Sequence, residues 1–310
     1  MLLKTAQIGR GRITMKIISH SADADGRLSA YLVGRYFNNF NIEDYLMTDY
    51  GKHDDIFSKI EKDEEVFVCD FSFENGPEDM KKLLEITPNV TWIDHHESSI
   101  NAYGEFGKNI PGLRIVGTAA CMLTWFYLYY ESGLLPTTQE ECEKLYDKAP
   151  FLVRLVHDND VWRHEYWESS YFKLALDAAN LVNPWDGRWK QLYESVHAVD
   201  VMVSKGESIA SYRDSIGDYA CSNNGFECEI NGLKGFALNT PFHGSPWFGS
   251  RIKDYDFVCA FSYNGKTKEW GYSFYSRKTG ANCYEIAKSI NPKGGGHYHA
   301  AGCSSKELIF

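Results

Sequence analysis

From Met15 onward the chain alternates short apolar runs with segments of helical period, and this alternation leaves few architectures open. "MKIISH" (15 to 20) reads as a strand, "GRLSAYLVGRYF" (26 to 37) as a helix and "IEDYLMT" (42 to 48) as a strand. A helix is expected over "HDDIFSKIEK" (53 to 62), a strand over "EEVFVCDF" (64 to 71), a helix over "PEDMKKLLEI" (77 to 86) and a strand over "NVTWIDHH" (89 to 96). Strands separated by helices are βαβ units, which lay the strands side by side and parallel with the helices covering the sheet. The first part of the chain is therefore expected to be α/β, a parallel sheet with flanking helices.

After Gly117 the pattern turns helical, in "TAACMLTWFYLYYES" (118 to 132), "TQEECEKLYDKA" (138 to 149) and "PFLVRLVHDND" (150 to 160). "TWFYLYY" (124 to 130) reads as a helix packed on the sheet. Residues 186 to 218 are mostly helical and amphipathic. From about Cys221 short strands return ("FECEIN", "KGFALNT", "DFVCAFSYN", "EWGYSFYSR"), followed by a helix at 282 to 290 and a glycine-rich loop, "GGGHYHAAG" (294 to 302). A chain of 310 residues is long enough for a hydrophobic core to divide. The expected division is a first domain over 15 to 185, a helical connector over 186 to 220 and a smaller α/β domain over 221 to 310.

The sequence has no apolar run near the roughly 20 residues that a bilayer-spanning helix needs, and the first 14 residues lack a signal-peptide apolar block. That leader reads as an extension, and the chain as cytoplasmic with no membrane partner. The eight cysteines form no CxxC pair, so free buried thiols are expected rather than disulfides or a zinc site. A net charge of −10 argues against contact with a long nucleic-acid tract, which favours a basic face.

In an open parallel sheet, ligands bind at the carboxyl ends of the strands. His20, Asp70 and the run Asp94, His95, His96 all fall at such ends. "SHSADADG" adds Asp23 and Asp25 within six positions of His20, where a helix opens at Gly26. "VHDNDVW" adds Asp158 and Asp160 near a helix end. Taken singly, each has an ordinary explanation as a cap or a strand-end acid. Together they gather imidazoles and carboxylates, the N and O donors that divalent cations of the Mn²⁺ type accept. Strand alternation also divides the paired histidines, since neighbours on a strand cannot point the same way.

At this point the chain resembles the DHH phosphoesterases, named for an Asp-His-His run. The resemblance extends from Met15 to the C-terminus, because "GGGHYHAAG" looks like the glycine-rich signature of the DHH-associated C-terminal domain. It implies a metal-binding N-terminal domain, a smaller substrate-gripping domain and an active site in the cleft between them. It implies two Mn²⁺ ions, with Co²⁺ or Mg²⁺ as alternatives: His20 and Asp23 on the first ion, Asp25, His95 and Asp158 on the second, and Asp70 bridging. Asp160 is the alternative to Asp158. The spacing from His20 to Asp23 is one residue longer than the commonest "HxDxDG" form. His96 would face the reacting phosphate, with Asp94 orienting its neighbours. Arg277, Gly294, Gly295, Gly296 and His297 would bind substrate, and His299 would be structural.

The resemblance further implies a metal-dependent hydrolase of phosphate esters, in a family that includes single-strand exonucleases and oligoribonucleases. The acidic balance favours short RNA or DNA oligonucleotides or nucleotides, hence an oligoribonuclease-like phosphodiesterase. A nucleotide phosphatase acting on adenosine 3′,5′-bisphosphate and a cyclic (di)nucleotide phosphodiesterase are the enzymatic alternatives. A nucleotide-binding sensor is the non-enzymatic one. The sequence leaves the oligomeric state open.

Overall fold

The computed structural model describes residues 14–49, 56–73, 75–131, 133–277 and 279–310. Contacts between Cα atoms divide the chain into two compact units, Met1–Glu207 and Ser208–Phe310.

In the first unit, strands β1 (Met15–His20), β2 (Tyr45–Thr48), β3 (Glu65–Cys69) and β4 (Val90–Ile93) form one sheet in the order β2-β1-β3-β4. Every pairing is parallel. Helices α1 (Ala24–Phe37), α2 (Pro77–Ile86) and α3 (Glu97–Lys108) follow β1, β3 and β4. They are followed by α4 (Ala120–Tyr129), α5 (Gln139–Glu143), α6 (Phe151–Asp160), α7 (Trp167–Ala178) and α8 (Gly187–Glu194). Strand alternation sorts the core. Met15, Ile17, Phe67, Cys69 and Ile93 join one cluster with α1, α4 and α6. Ile18, Val66, Val68, Val90 and Trp92 join the cluster beneath α2 and α3. Both faces are covered, and for that reason these strands read as continuous apolar runs instead of alternating ones.

Local departures from the sequence reading have local causes. The strand expected from residue 42 begins with a 3₁₀ turn, Ile42–Asp44. The helix expected over 53 to 62 is a 3₁₀ turn at Phe57–Lys59, with 53–55, like the leader up to residue 13, outside the described residues. The helix expected over 138 to 149 is divided into α5 and a 3₁₀ turn, Tyr146–Lys148. β4 stops at Ile93 rather than His96, because the Asp94 side chain takes the backbone N–H groups of His95 and His96 and offers the chain an alternative to the ladder.

Helix α9 (Val196–Asn224) crosses the division between the units, and together with α8 it occupies the region expected to be a helical connector. The second unit holds a six-stranded sheet of order β5-β6-β7-β8-β10-β9, built from β5 (Gly225–Ile230), β6 (Leu233–Asn239), β7 (Phe257–Asn264), β8 (Glu269–Tyr275), β9 (Gly295–His297) and β10 (Ala300–Ser305). Only β6 and β7 pair in parallel. Helix α10 (Cys283–Ile290) buries Cys283, Ile286 and Ala287 at helical spacing, and the Asn282 side chain caps it by accepting from the N–H groups of Tyr284 and Glu285. The expected loop at 294 to 302 is instead a hairpin. β9 pairs antiparallel with β10, as Gly295 with Gly302 and His297 with Ala300. At Gly296 the left-handed φ of 133° and the close approach of Ala300 and Ala301 leave no room for a side chain.

All eight cysteines are free thiols, six of them buried. Among the described residues, no helix is long and apolar enough to cross a membrane.

Candidate metal centre

The order β2-β1-β3-β4 lines up four polar strand ends. These are Asp49 after β2, His20 closing β1, Asp70 after β3 and the Asp94-His95-His96 run after β4. Two devices fix the turn after β1. Ser19, fully buried, donates its hydroxyl toward the carbonyls of Gly26 (2.7 Å) and Cys69 (2.8 Å). Gly26 lets α1 begin directly against the His20 carbonyl, where a Cβ would collide with it. Asp23 is the N-cap of α1, its Oδ1 accepting from the Gly26 N–H at 3.0 Å, and its Oδ2 lies 3.0 Å from His20 Nδ1. His20 Nε2 lies 3.2 Å from Asp49 Oδ1.

Asp25, 1% exposed, serves a helix 95 residues away in sequence. Its Oδ2 accepts from Ala120 N (2.8 Å) and its Oδ1 from Cys121 N (2.7 Å). The preceding N–H, of Ala119, donates to His157 Nδ1 at 3.2 Å. The N-terminus of α4, which has no capping side chain of its own, is thus satisfied by a carboxylate and an imidazole from α1 and α6.

Asp70 follows β3 in the left-handed region, at φ 53°. Such a conformation in a non-glycine residue is uncommon and stores strain. It is held there by the hydrogen bond from Asp70 N to the Ile93 carbonyl (2.9 Å). His95 Nε2 lies 3.4 Å from Asp70 Oδ1, 3.5 Å from Asp160 Oδ2 and 3.7 Å from Asp25 Oδ2. Among the described residues, donor atoms of three triads lie within 4.8 Å of one another: His20, Asp23 and Asp70; Asp70, His95 and His96; Asp25, His95 and Asp160. Asp70 belongs to two of them, and so does His95.

Asp160, the alternative that the sequence left beside Asp158, stands in this cluster. Both lie on α6, two residues and therefore about 200° apart around the helix, so only one can face His95. Asp158 turns to the chain that follows, accepting from Glu165 N (2.9 Å) and Tyr166 N (3.4 Å).

Two buried oxygens in the cluster, Asp70 Oδ1 and Asp160 Oδ2, have no hydrogen-bond partner among the described residues. Burial, with Asp25, Asp23, Asp160 and Asp94 nearby, holds Asp70 well above the usual carboxylate range. Burial, then Asp25 and Asp23, push Asp160 up to about 9. Buried acceptors without donors are rare, and each calls for a specific explanation. Divalent cations fit this donor set, because they supply the missing positive charge and accept carboxylate and imidazole ligands without thiolate.

Asp94 organises the histidines. Its Oδ1 accepts from His95 N (2.7 Å) and His96 N (3.1 Å) and lies 2.7 Å from His96 Nδ1, while Oδ2 accepts from the Ser72 hydroxyl at 3.1 Å. Burial works to raise Asp94, but the hydrogen bond with His96 and the neighbouring imidazoles keep it below its ordinary value. The same bond raises His96 above the ordinary imidazole value.

In the second unit, Gly294 closes a turn through its N–H to the Asn291 carbonyl (2.7 Å). Gly295, Gly296 and His297 form β9, the exposed edge strand of the sheet. Arg277 is exposed and lies just past the end of β8, where a strand position was expected. His299 is held by Ser276, whose N–H donates to its carbonyl and whose Oγ lies 3.0 Å from its Nδ1. The sequence reading missed Asp49. Its signal, an acid directly after a strand, is the one that singled out Asp70.

No protein-family profile matches the chain, and no curated protein matches it. Solved structures do. A pGpG-specific phosphodiesterase, PggH, from Vibrio cholerae superposes with TM-score 0.51 at 11% identity, over 93% of this chain and 92% of that one. The DHH domain of a protein described as a member of the s1p family of ribosomal proteins superposes with TM-score 0.50 at 12% identity, over 93% of this chain and 82% of that one. RecJ with Mn²⁺ from Thermus thermophilus superposes with TM-score 0.48 at 16% identity, over 98% of this chain and 51% of that one. The chain therefore shares its fold with the pGpG-specific phosphodiesterase and with the DHH domain, and it carries an Asp94-His95-His96 run of its own at the carboxyl edge of its parallel sheet.

Proposed function

We propose that the protein is a phosphoesterase dependent on two divalent metal ions, acting as an oligoribonuclease-like phosphodiesterase on short oligonucleotides or nucleotides. The observation that carries this reading is the set of orphaned, buried Asp70 and Asp160 oxygens facing His95 Nε2. His20, Asp23 and Asp70 would hold one ion, and Asp25, Asp70, His95 and Asp160 the other. Mn²⁺ suits this mixture of imidazole and carboxylate. When bound, such a pair of ions activates water and stabilises charge on the phosphoryl and leaving oxygens.

The chain's own residues do the rest. The strained Asp70 backbone aims one carboxylate at both ligand groups. Asp94 fixes the His96 ring through Nδ1, so that the proposed phosphate contact falls to Nε2. Arg277, Gly294, Gly295, Gly296 and His297 of the second unit are the proposed phosphate-gripping set, in which glycine backbone and the basic side chains meet anionic oxygens. The net charge of −10 supports a short substrate over a long strand, and so does the similarity in fold to a phosphodiesterase named for pGpG.

Turnover with Mn²⁺ and with chelator tests the reading, on labelled RNA and DNA from dinucleotides to 20-mers, adenosine bisphosphate, cyclic dinucleotides and pyrophosphate. Mn²⁺-dependent cleavage of dimers to pentamers is expected, and its loss in Asp70→Ala. Activity on long strands but not on dimers to pentamers would exclude the oligoribonuclease reading, and full activity of Asp70→Ala would exclude the two-metal mechanism.

A further inference from the structure

The histidine that closes β1 is gripped from both sides. Parallel register sets His20 opposite Thr48, and the Ser21 N–H donates to the Thr48 carbonyl at 2.7 Å, so Asp49 lies beside the turn that carries His20, Asp23 and Asp25. Asp23 Oδ2 lies 3.0 Å from His20 Nδ1, and Asp49 Oδ1 lies 3.2 Å from His20 Nε2. The imidazole is mostly buried while the Asp49 side chain is one-third exposed.

A neutral imidazole has one N–H and one lone pair, and the partner of the first nitrogen decides which atom can bind a cation. Asp23 and Asp70 supply the other donor atoms of the His20 group, and Nδ1 is the nitrogen against Asp23. Asp49 stands on the opposite nitrogen. We propose that Asp49 is a positioning residue for the metal centre: it accepts the Nε2–H of His20 and so leaves the Nδ1 lone pair for the cation shared with Asp23 and Asp70. The inference rests on the metal-centre reading and deepens it, adding a residue outside the expected ligand set. The extra residue between His20 and Asp23 is the sequence counterpart, since it lengthens the path by which the ring reaches Asp23. Carboxylates that orient a ligand histidine in this way typically change metal affinity by about 10- to 100-fold when removed.

Titration of the full chain with Mn²⁺, followed by the electron paramagnetic resonance signal of the free ion, tests this in wild type, Asp49→Ala, Asp49→Asn and Asp70→Ala. Wild type is expected to take up two ions. Asp49→Ala is expected to weaken one of them about 10-fold or more. Asp49→Asn, which keeps an acceptor oxygen, should restore binding close to wild type. A long-range ¹H–¹⁵N spectrum of the protein loaded with diamagnetic Zn²⁺, assigned by difference with His20→Gln, reads the tautomer directly. The proton should sit on Nε2 in wild type and Asp49→Asn. Wild-type affinity in Asp49→Ala, equal weakening in the Ala and Asn variants, or a proton on Nδ1 would each overturn the Asp49 role while leaving the metal centre standing. A wild-type protein that takes up no Mn²⁺ would overturn the metal centre and the Asp49 role with it. Should Asp49→Ala not fold, the wild-type tautomer and the Asn variant decide.

Discussion

Replacing Asp160 by Asn should strengthen the metal-free protein and at the same time weaken its response to metal. Without a cation, burial and the nearby Asp25 and Asp23 push Asp160 from the ordinary 3.8 up to about 9. At pH 7 the folded protein therefore carries a proton that the unfolded chain has released. A raised carboxylate of this kind contributes no penalty below 3.8, and an increasing one as pH rises from 3.8 toward 9. Each pH unit between 3.8 and 7 contributes about 1.4 kcal/mol, or about 4 kcal/mol in all. Asn is nearly isosteric and does not titrate. In urea denaturation with chelator, Asp160→Asn should gain up to about 4 kcal/mol at pH 7 relative to its difference from wild type at pH 3.5, and a melting point higher by roughly 10 °C. With saturating Mn²⁺ the order should reverse, because wild type gains the binding free energy and the variant loses a ligand. Asp158→Asn is the control: it weakens acceptors for the Glu165 and Tyr166 N–H groups, so it should lower stability with and without metal. Equal stabilisation by Mn²⁺ in wild type and Asp160→Asn, paired with loss of that stabilisation in Asp158→Asn, would refute the assignment of Asp160 to the cluster.

Two further outcomes follow from the same geometry. Asp25→Ala removes the acceptors of the Ala120 and Cys121 N–H groups named above, and leaving two buried donors unmet should cost about 2 to 4 kcal/mol in chelator as well as abolishing one metal site; a fold unchanged in chelator would show that α4 is capped otherwise. Gly26→Ala sets a Cβ against the His20 carbonyl, so it should lower both thermal stability and Mn²⁺ affinity, read by calorimetric melting and by the free-ion titration, and wild-type values in both would show that the turn relaxes freely.

Much of the fold is written locally. The apolar runs at 15 to 20, 64 to 71 and 89 to 96, with helical segments between them, specify a parallel sheet because period and order are properties of neighbouring residues. The strand-end placement of His20, Asp70, Asp94, His95 and His96 follows from the same runs. The hairpin at Gly295–Ser305 was illegible because glycines carry little strand propensity, and its pairing is supplied by β10 and then β8.

The sequence by itself determined that imidazoles and carboxylates would stand along one sheet edge. Only the tertiary structure decided which of them converge. Asp158 and Asp160 are equivalent in sequence, and the rotation of α6 against α1 and α4, set by long-range packing, turns one toward Glu165 and the other toward His95. Asp49 enters through the register of β2 on β1, and Asp25 reaches α4 across 95 residues of chain. Periodicity fixes which face of its own element a side chain occupies, whereas the meeting of two elements depends on contacts between residues far apart in the chain.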